Sequence, residues 1–85
     1  MIEKPAEHSA NVEMWATVTN GDHRFEFGVS RIGPGFAIFR DATAFSCRCR
    51  GVISISVDGV LNSFHCRFPD GIKSGTESTV RYIRL

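Results

Sequence analysis

Residues 45–68, FSCRCRGVISISVDGVLNSFHCRF, carry the strongest strand and turn signals in the chain. Between residues 45 and 57 every odd position is apolar or glycine, and most even positions are serine or arginine. Alternation with a period of two is typical of a strand with one buried face and one exposed face. Asp58-Gly59 follows, a dipeptide that favours a two-residue hairpin turn. The stretch therefore predicts two long antiparallel strands, with Gly51 as a bend or bulge in the first.

The position of the turn also predicts the register of this hairpin. Folding the chain at Asp58-Gly59 places Ile53 opposite Phe64 on an apolar face. The same register places Arg50 opposite Arg67 on the other face, which is polar. Like charges directly opposite each other destabilise a sheet, so this pair indicates either a bound partner or a solvated surface.

A second hairpin is predicted at Asn20-Gly21, because a type I′ turn needs positive φ at both central positions. This turn makes residues 12–18 and 23–29 two paired strands. One of their faces is apolar from end to end. The other is polar except for Trp15, which the predicted register places opposite Glu26. Turn chemistry and hydrophobic pattern agree here, which supports the prediction.

The rest of the chain reads as shorter strands and turns. Residues 33–35 and 41–43 are turns around a short apolar strand, residues 69–78 are a loop, and residues 79–85 are a last strand. No segment has the pattern of a long helix. We therefore expect an all-β fold, a small antiparallel meander of six to seven strands rolled into a barrel or a strongly bent sheet.

The length of 85 residues fits one domain. We expect residues 1–10 to be a flexible N-terminal arm and residues 11–85 to be a single β-barrel-like domain. The longest apolar run is four residues and no leader pattern opens the chain, so we expect neither a membrane partner nor secretion. A domain this small has a thin core, which favours a homo-oligomer such as a homodimer.

Three cysteines are an odd number, which does not suit a secreted domain stapled by disulfides. We therefore expect reduced thiols and a cytoplasmic protein. The predicted register points all three to the apolar face and points His65 to the other, so no metal site and no cofactor are expected. The cysteines are Cys47, Cys49 and Cys66.

Charge is unevenly distributed although the net charge is only +1. Residues 1–30 hold two basic and five acidic residues, whereas residues 31–85 hold eight basic and four acidic ones. Eight of the ten basic residues are arginine, which suits phosphate and carboxylate. Basic residues on the outer face of the second hairpin form a candidate binding site for an anion, a nucleic acid or an acidic partner. The alternative interpretation is a solvated face without a ligand. The residues of the candidate site are Arg48, Arg50, His65 and Arg67.

Trp15 is a second candidate site. It lies on the polar face of the first hairpin with Glu13 and Glu26 close by in the predicted register. A lone tryptophan there is either a ligand or interface anchor or a side chain covered by the rest of the fold. The two carboxylates are the nearest approach to a catalytic pair. No nucleophile elbow, phosphate loop or metalloprotease motif is present, so we expect no enzyme.

Residues 33–39, GPGFAIF, are similar in part to the aromatic strand motif of RRM and cold-shock nucleic-acid binders. No helix pattern and no second aromatic strand accompany the motif, so a short apolar strand is the better interpretation.

The leading functional hypothesis is a small non-catalytic binding module that acts through protein contacts or self-association. Accessory proteins of phages and mobile elements often have this size. One alternative is a binder of single-stranded nucleic acid, which near-neutral charge disfavours. Another is a barrel for a small apolar ligand, although the predicted interior is filled by side chains. Those side chains are Phe25, Phe27, Ile53, Phe64 and Phe68.

Overall fold

The structure is a computed structural model that describes residues 11–46 and 49–85. These residues form seven β-strands and no helix. The strands are β1 (Val12–Asn20), β2 (His23–Gly33), β3 (Phe36–Ala42), β4 (Cys49–Val57), β5 (Val60–Phe68), β6 (Gly75–Arg81) and β7 (Ile83–Arg84). All pairs are antiparallel, and the strands form one strongly curled half-barrel sheet. The predicted all-β fold is confirmed.

The β4–β5 hairpin has the predicted register. Val57 pairs with Val60, and the pairing continues without a shift to the other end of both strands. Asp58 and Gly59 have φ angles of 51° and 86°. Positive φ at both central residues is what a type I′ turn requires, so the turn prediction is confirmed as well.

Gly51 allows close packing and does not interrupt the pairing of β4 with β5. It pairs with Cys66 in step with its neighbours, so the predicted bulge at this position is wrong. A Cβ atom on Gly51 would lie 2.5 Å from the Thr17 carbonyl oxygen and 2.9 Å from the Phe68 ring. The position therefore needs glycine because neighbouring strands and a core ring leave no space for a side chain.

The β1–β2 hairpin differs from its predicted register by two residues. Asn20 pairs with His23, so the two-residue loop is Gly21-Asp22. Gly21 has a φ of 64°, and Asp22 has no positive φ. Glycine at the first central position alone is the pattern of a type II′ turn. Because side chains alternate with a period of two, a shift of two residues keeps each side chain on its predicted face but changes its neighbours.

The strand order across the sheet is β6-β3-β2-β1-β4-β5-β7. Consecutive strands pair within β1–β2–β3 and within β4–β5, but β4 pairs with β1 and not with β3. Sequential pairing along the whole chain, as the sequence suggested, is therefore wrong between β3 and β4, and also between β5 and β6. Of the strand predicted for residues 45–57, the described part is β4 (Cys49–Val57), and Phe45 forms an isolated bridge with Ile72.

Both outer strands of the sheet come from one C-terminal segment. β6 pairs with β3 and β7 pairs with β5, and only Tyr82 separates β6 from β7. The Tyr82 N–H donates to the Gly35 carbonyl oxygen at 3.0 Å, and its hydroxyl donates to the Gly33 carbonyl oxygen at 3.0 Å. These bonds fasten Tyr82, and with it the junction between β6 and β7, to the β2–β3 turn.

The inner face of the curled sheet holds the core. Its buried apolar side chains are Ala16, Val18, Phe27, Val29, Ala37, Phe39, Ala42, Cys49, Ile53, Cys66, Phe68, Ile72 and Val80. The Phe39 ring lies 5.9 Å from the Phe27 ring and 5.7 Å from the Phe68 ring. Aromatic side chains therefore fill the middle of the curl, as predicted, although Phe64 is half-buried and Phe25 is exposed.

Candidate binding surfaces

β5 has a free edge over about half of its length. All nine of its residues pair with β4. On the other side, β7 pairs with it only at Cys66 and Arg67, and the Leu85 N–H donates to the His65 carbonyl oxygen. Within the described part of the chain, no strand pairs with the outer side of residues 60–64. We call this segment the free edge.

Leu61 and Ser63 carry the outward-pointing backbone groups of the free edge. In a hairpin with a two-residue turn, the pair that flanks the turn exchanges both backbone hydrogen bonds, and bonded and non-bonded pairs then alternate. Val60 flanks the turn, so the even-numbered residues of β5 bond to β4. The N–H and C=O groups of Leu61 and Ser63 therefore face away from the sheet.

Apolar side chains surround the free edge. Val60 is 64% exposed and Leu61 is 58% exposed. Val12 and Val57, which pair with each other beside the turn, are exposed too. Residues 60–64 contain neither a charge nor a proline, the usual devices that keep an edge strand from pairing. Within the part of the chain that the structure describes, this edge therefore lacks protection and is typical of a surface that binds a further strand.

The free edge belongs to a three-stranded end of the sheet. Residues 12–14 pair with β4, whereas β2 joins β1 only from Trp15 onward. The Asn11 N–H donates to Asp58 Oδ1 at 2.9 Å, and the Asp58 N–H donates to the Asn11 carbonyl oxygen at 2.9 Å. These two bonds fasten β1 to the β4–β5 turn, so the end is held in place although β2 does not cover it.

Three arginines and one threonine form a row across the outer face of four neighbouring strands. Arg24 pairs with Thr19, Thr19 with Arg50, and Arg50 with Arg67. All four side chains are exposed. Neighbouring strands lie about 4.8 Å apart, so the row spans about 14 Å. We call these four residues the arginine row.

Two of the predicted site residues belong to the arginine row. Arg50 and Arg67 are directly opposite each other, as their register predicts. His65 is exposed on the same face, two residues before Arg67, and pairs with Val52. Arg48 lies outside the described residues. The structure therefore brings together three of the four residues that the sequence singled out.

Ion pairing distinguishes the arginine row from Arg81. The Arg81 Nε lies 2.7 Å from Asp70 Oδ2 and its Nη2 lies 3.1 Å from Asp70 Oδ1. This guanidinium lowers the pKa of the Asp70 carboxyl, chiefly by its hydrogen bonds. In residues 11–46 and 49–85, no carboxylate makes such a pair with an arginine of the row. Its positive charges are therefore available to a ligand.

Trp15 is half-buried on the outer face, between Gly28 of β2 and Ser54 of β4. The Arg40 guanidinium covers Gly28, since its Nη2 would lie 2.9 Å from a Cβ atom there. Ser54 is buried, and its Oγ lies 2.9 Å from the Oγ of Ser63. The indole is thus partly covered by polar neighbours and keeps one accessible side.

A shallow depression of about 600 Å³ opens on that side. Arg24 and Thr19, at one end of the arginine row, form part of its wall. Trp15 and His23 add two aromatic rings, and Asp22 and Glu26 add carboxylates. The depression therefore joins the arginine row to an aromatic and hydrogen-bonding surface.

Glu13 and Glu26 do not form a pair. Glu26 pairs with Thr17, and Glu13 pairs with Ser56. Thr17 is four residues from Glu13 along β1, which corresponds to about 13 Å at the usual strand rise. The two carboxylates are therefore too far apart to share one proton or one substrate atom, and the shifted register of the first hairpin is the reason.

The thiols of Cys49 and Cys66 are buried on the inner face, whereas His65 lies on the outer face. No disulfide joins these two cysteines. Burial, together with the neighbouring Cys49, raises the pKa of the Cys66 thiol from 9.0 to about 12. No three His, Cys, Asp or Glu side chains of the described residues could together hold a metal ion. Cys47 lies outside those residues.

Sequence reasoning missed Arg24 and the free edge. Arg24 joins the row only in the observed register of the first hairpin. Gly21 could have indicated that register, because glycine at the first position of a two-residue loop favours a type II′ turn at Gly21-Asp22. The free edge depends on which strands lie at the ends of the sheet, and no local pattern encodes that.

Comparisons of this chain with protein-family models, characterised proteins and solved structures found no match. The described residues contain no helix long and apolar enough to cross a membrane.

Proposed function

We propose that this chain is a non-catalytic binding module that associates with a second copy of itself through the free edge of β5. The observation that carries the proposal is the pair of residues Leu61 and Ser63, whose outward N–H and C=O groups have no strand beside them in the described chain. A sheet edge of this kind is a template for one more strand.

A second copy suits the free edge because the edge is self-complementary. Two β5 strands can pair antiparallel about a two-fold axis close to Asn62. Leu61 of each copy then lies opposite Ser63 of the other, and the outward backbone groups of both residues find partners. The same pairing places Val60 of each copy beside Phe64 of the other, on the inner face.

Charge and hydrophobicity favour the same occupant. Residues 60–64 carry no charge, and the whole chain has a net charge of only +1, so two copies do not repel each other strongly. Val60 and Leu61 are large apolar side chains of the edge itself, and both are mostly exposed. Their partial burial would add to the hydrogen bonds of the paired backbones.

We also propose that the chain has no catalytic activity. The separation of Glu13 from Glu26 removes the carboxylate pair that the sequence suggested. We also propose a cytoplasmic location, because the buried Cys66 is a thiol and reducing compartments keep thiols in that form.

Analytical ultracentrifugation over a wide range of protein concentrations tests self-association. We expect a monomer–dimer equilibrium for the natural chain. Leu61→Pro removes an N–H that points away from β4, so it should abolish the dimer and leave the fold intact. Leu61→Lys adds a charge to the edge and should weaken the dimer strongly, without removing any backbone bond.

Thr79→Lys is the control, because it adds the same charge to an exposed position of β6. It should associate like the natural chain. A monomer at every concentration would refute the proposal. Equal association of the Leu61→Lys and Thr79→Lys variants would place any dimer interface elsewhere. Circular dichroism on each variant establishes that the sheet is still formed.

A further inference from the structure

We infer that the arginine row and the depression beside Trp15 form a binding site for single-stranded nucleic acid. This site adjoins the free edge, because Leu61 also lines the depression, but the arginines of the row lie outside that edge. The inference starts from Arg50 and Arg67, two like charges held opposite each other. Such a pair destabilises a sheet unless an anion lies between or above the two side chains.

The row matches a phosphate backbone in chemistry and in extent. Arginine presents a planar fork of donors that suits phosphate oxygens. Three arginines along about 14 Å of sheet surface can contact successive phosphates of one strand. The exposed Thr19 hydroxyl lies between Arg24 and Arg50 and can donate to the same backbone.

The depression explains why nucleic acid is a better occupant than an acidic peptide. Trp15 and His23 offer aromatic rings on which bases can stack. Asp22 and Glu26 lie in the same depression, where they would repel the carboxylates of an acidic peptide. Toward nucleic acid they can instead accept hydrogen bonds from the exocyclic amino groups of bases.

The geometry also favours a single strand over a duplex. The row lies on the curved outer face of a sheet, and the depression is shallow. Bases can reach Trp15 only if they are unstacked and turned toward the protein, which a single strand allows. We therefore place phosphates on the arginine row and one or two bases in the depression.

The first experiment uses fluorescently labelled single-stranded DNA and RNA oligonucleotides, with anisotropy measured at several salt concentrations. We expect binding that weakens as salt rises, because each neutralised phosphate releases a counterion. Replacement of one row arginine by glutamine, in Arg50→Gln or Arg24→Gln, should weaken binding several-fold. The slope of log affinity against log salt should also become shallower by about 0.7.

Arg31→Gln is the matched control, because Arg31 is an exposed arginine of β2 outside the row. It should keep both the affinity and the salt slope of the natural chain. Unchanged affinity and slope in Arg50→Gln and Arg24→Gln would overturn the assignment of the row. Absence of binding at the lowest salt would overturn the site as a whole.

Trp15 provides a second readout, since it is the only tryptophan in the chain. We expect bound oligonucleotide to quench its fluorescence, and poly-glutamate to cause no quenching and to compete poorly. Quenching that is lost in Arg24→Gln and kept in Arg31→Gln would link the row to the depression. Equal competition by poly-glutamate would show an acidic-protein surface and contradict the nucleic-acid site.

Discussion

Arg50 of β4 lies directly opposite Arg67 of β5 on the outer face of the sheet, and Thr19 separates the pair from Arg24. Such opposition lowers stability in the free protein, and a bound anion would relieve it. Charged groups at a binding site often lower the stability of the free protein, so stability and binding should respond in opposite directions when the pair is changed.

Replacement of one arginine of the pair should stabilise the fold. In Arg67→Glu an opposite-charge pair replaces the like-charge pair, and we expect the free energy of unfolding to rise by up to about 1 kcal/mol. Urea denaturation at low salt measures this gain, which should shrink as salt screens both charges. Arg31→Glu, which faces Ile38, should show no comparable gain. Equal effects of the two substitutions would mean that repulsion between Arg50 and Arg67 does not lower the free energy of unfolding.

Gly51→Ala should destabilise the fold much more than Gly28→Ala. At Gly51 the new Cβ would collide with the Thr17 backbone oxygen and the Phe68 ring, neither of which can move freely. We expect a loss of about 1–3 kcal/mol in the free energy of unfolding. At Gly28 the new Cβ would meet only the end of the Arg40 side chain, which can swing away. Similar denaturation midpoints for the two variants would contradict the packing described around Gly51.

Tyr82 should stabilise the junction between β6 and β7 in two separable ways. Tyr82→Phe removes only the hydroxyl bond to the Gly33 carbonyl and should lower the free energy of unfolding by about 1 kcal/mol. Tyr82→Ala also removes the ring, which lies 5.6 Å from the Phe64 ring, and should lower it further. Thermal or urea denaturation distinguishes the two. If Tyr82→Phe loses as much as Tyr82→Ala, the ring contact contributes nothing.

Cys66 should be unreactive in the folded protein. Its pKa of about 12 keeps the thiol protonated at neutral pH, and burial blocks access. Mass spectrometry after brief exposure to iodoacetamide should find Cys66 modified only in denaturant. Rapid modification under native conditions would mean that the β4–β5 core is open.

The same shift predicts a pH dependence of stability. The folded state holds the Cys66 proton more tightly than the unfolded state, whose thiol titrates near 9.0. The contribution to stability is therefore complete below pH 9 and is lost as the pH rises toward 12. The Cys66→Ala variant should lose less stability than the natural chain between pH 8 and 10. Parallel curves for the two proteins would contradict the raised pKa.

Local signals were enough to predict the β4–β5 hairpin and its two faces. Asp58-Gly59 allows one tight turn, and that turn fixes the pairing of every later residue, including Arg50 with Arg67. The first hairpin was less determined, because Asn20-Gly21 and Gly21-Asp22 both support a two-residue loop. The hydrophobic pattern could not separate them, since registers that differ by two residues bury the same face.

The pairing of strands that are far apart in the chain could not be predicted from the sequence. The pairing of β4 with β1, and of the C-terminal segment with both β3 and β5, depends on how the whole sheet curls. No turn residue or apolar period encodes these contacts. The free edge follows from them, so Leu61 and Ser63 carried no recognisable signal. Arg24 was missed because the predicted register of the first hairpin differs from the observed register by two residues.

The most direct measurement is amide hydrogen exchange, followed by NMR at low and high protein concentration. It tests self-association through the free edge at the backbone N–H groups of Leu61 and Ser63. The Asn62 amide, which points to β4, is the internal reference and should be protected at both concentrations. We expect the Leu61 and Ser63 amides to exchange quickly in dilute solution and to become protected as concentration rises. Fast exchange of both amides at every concentration would contradict pairing of two copies through β5.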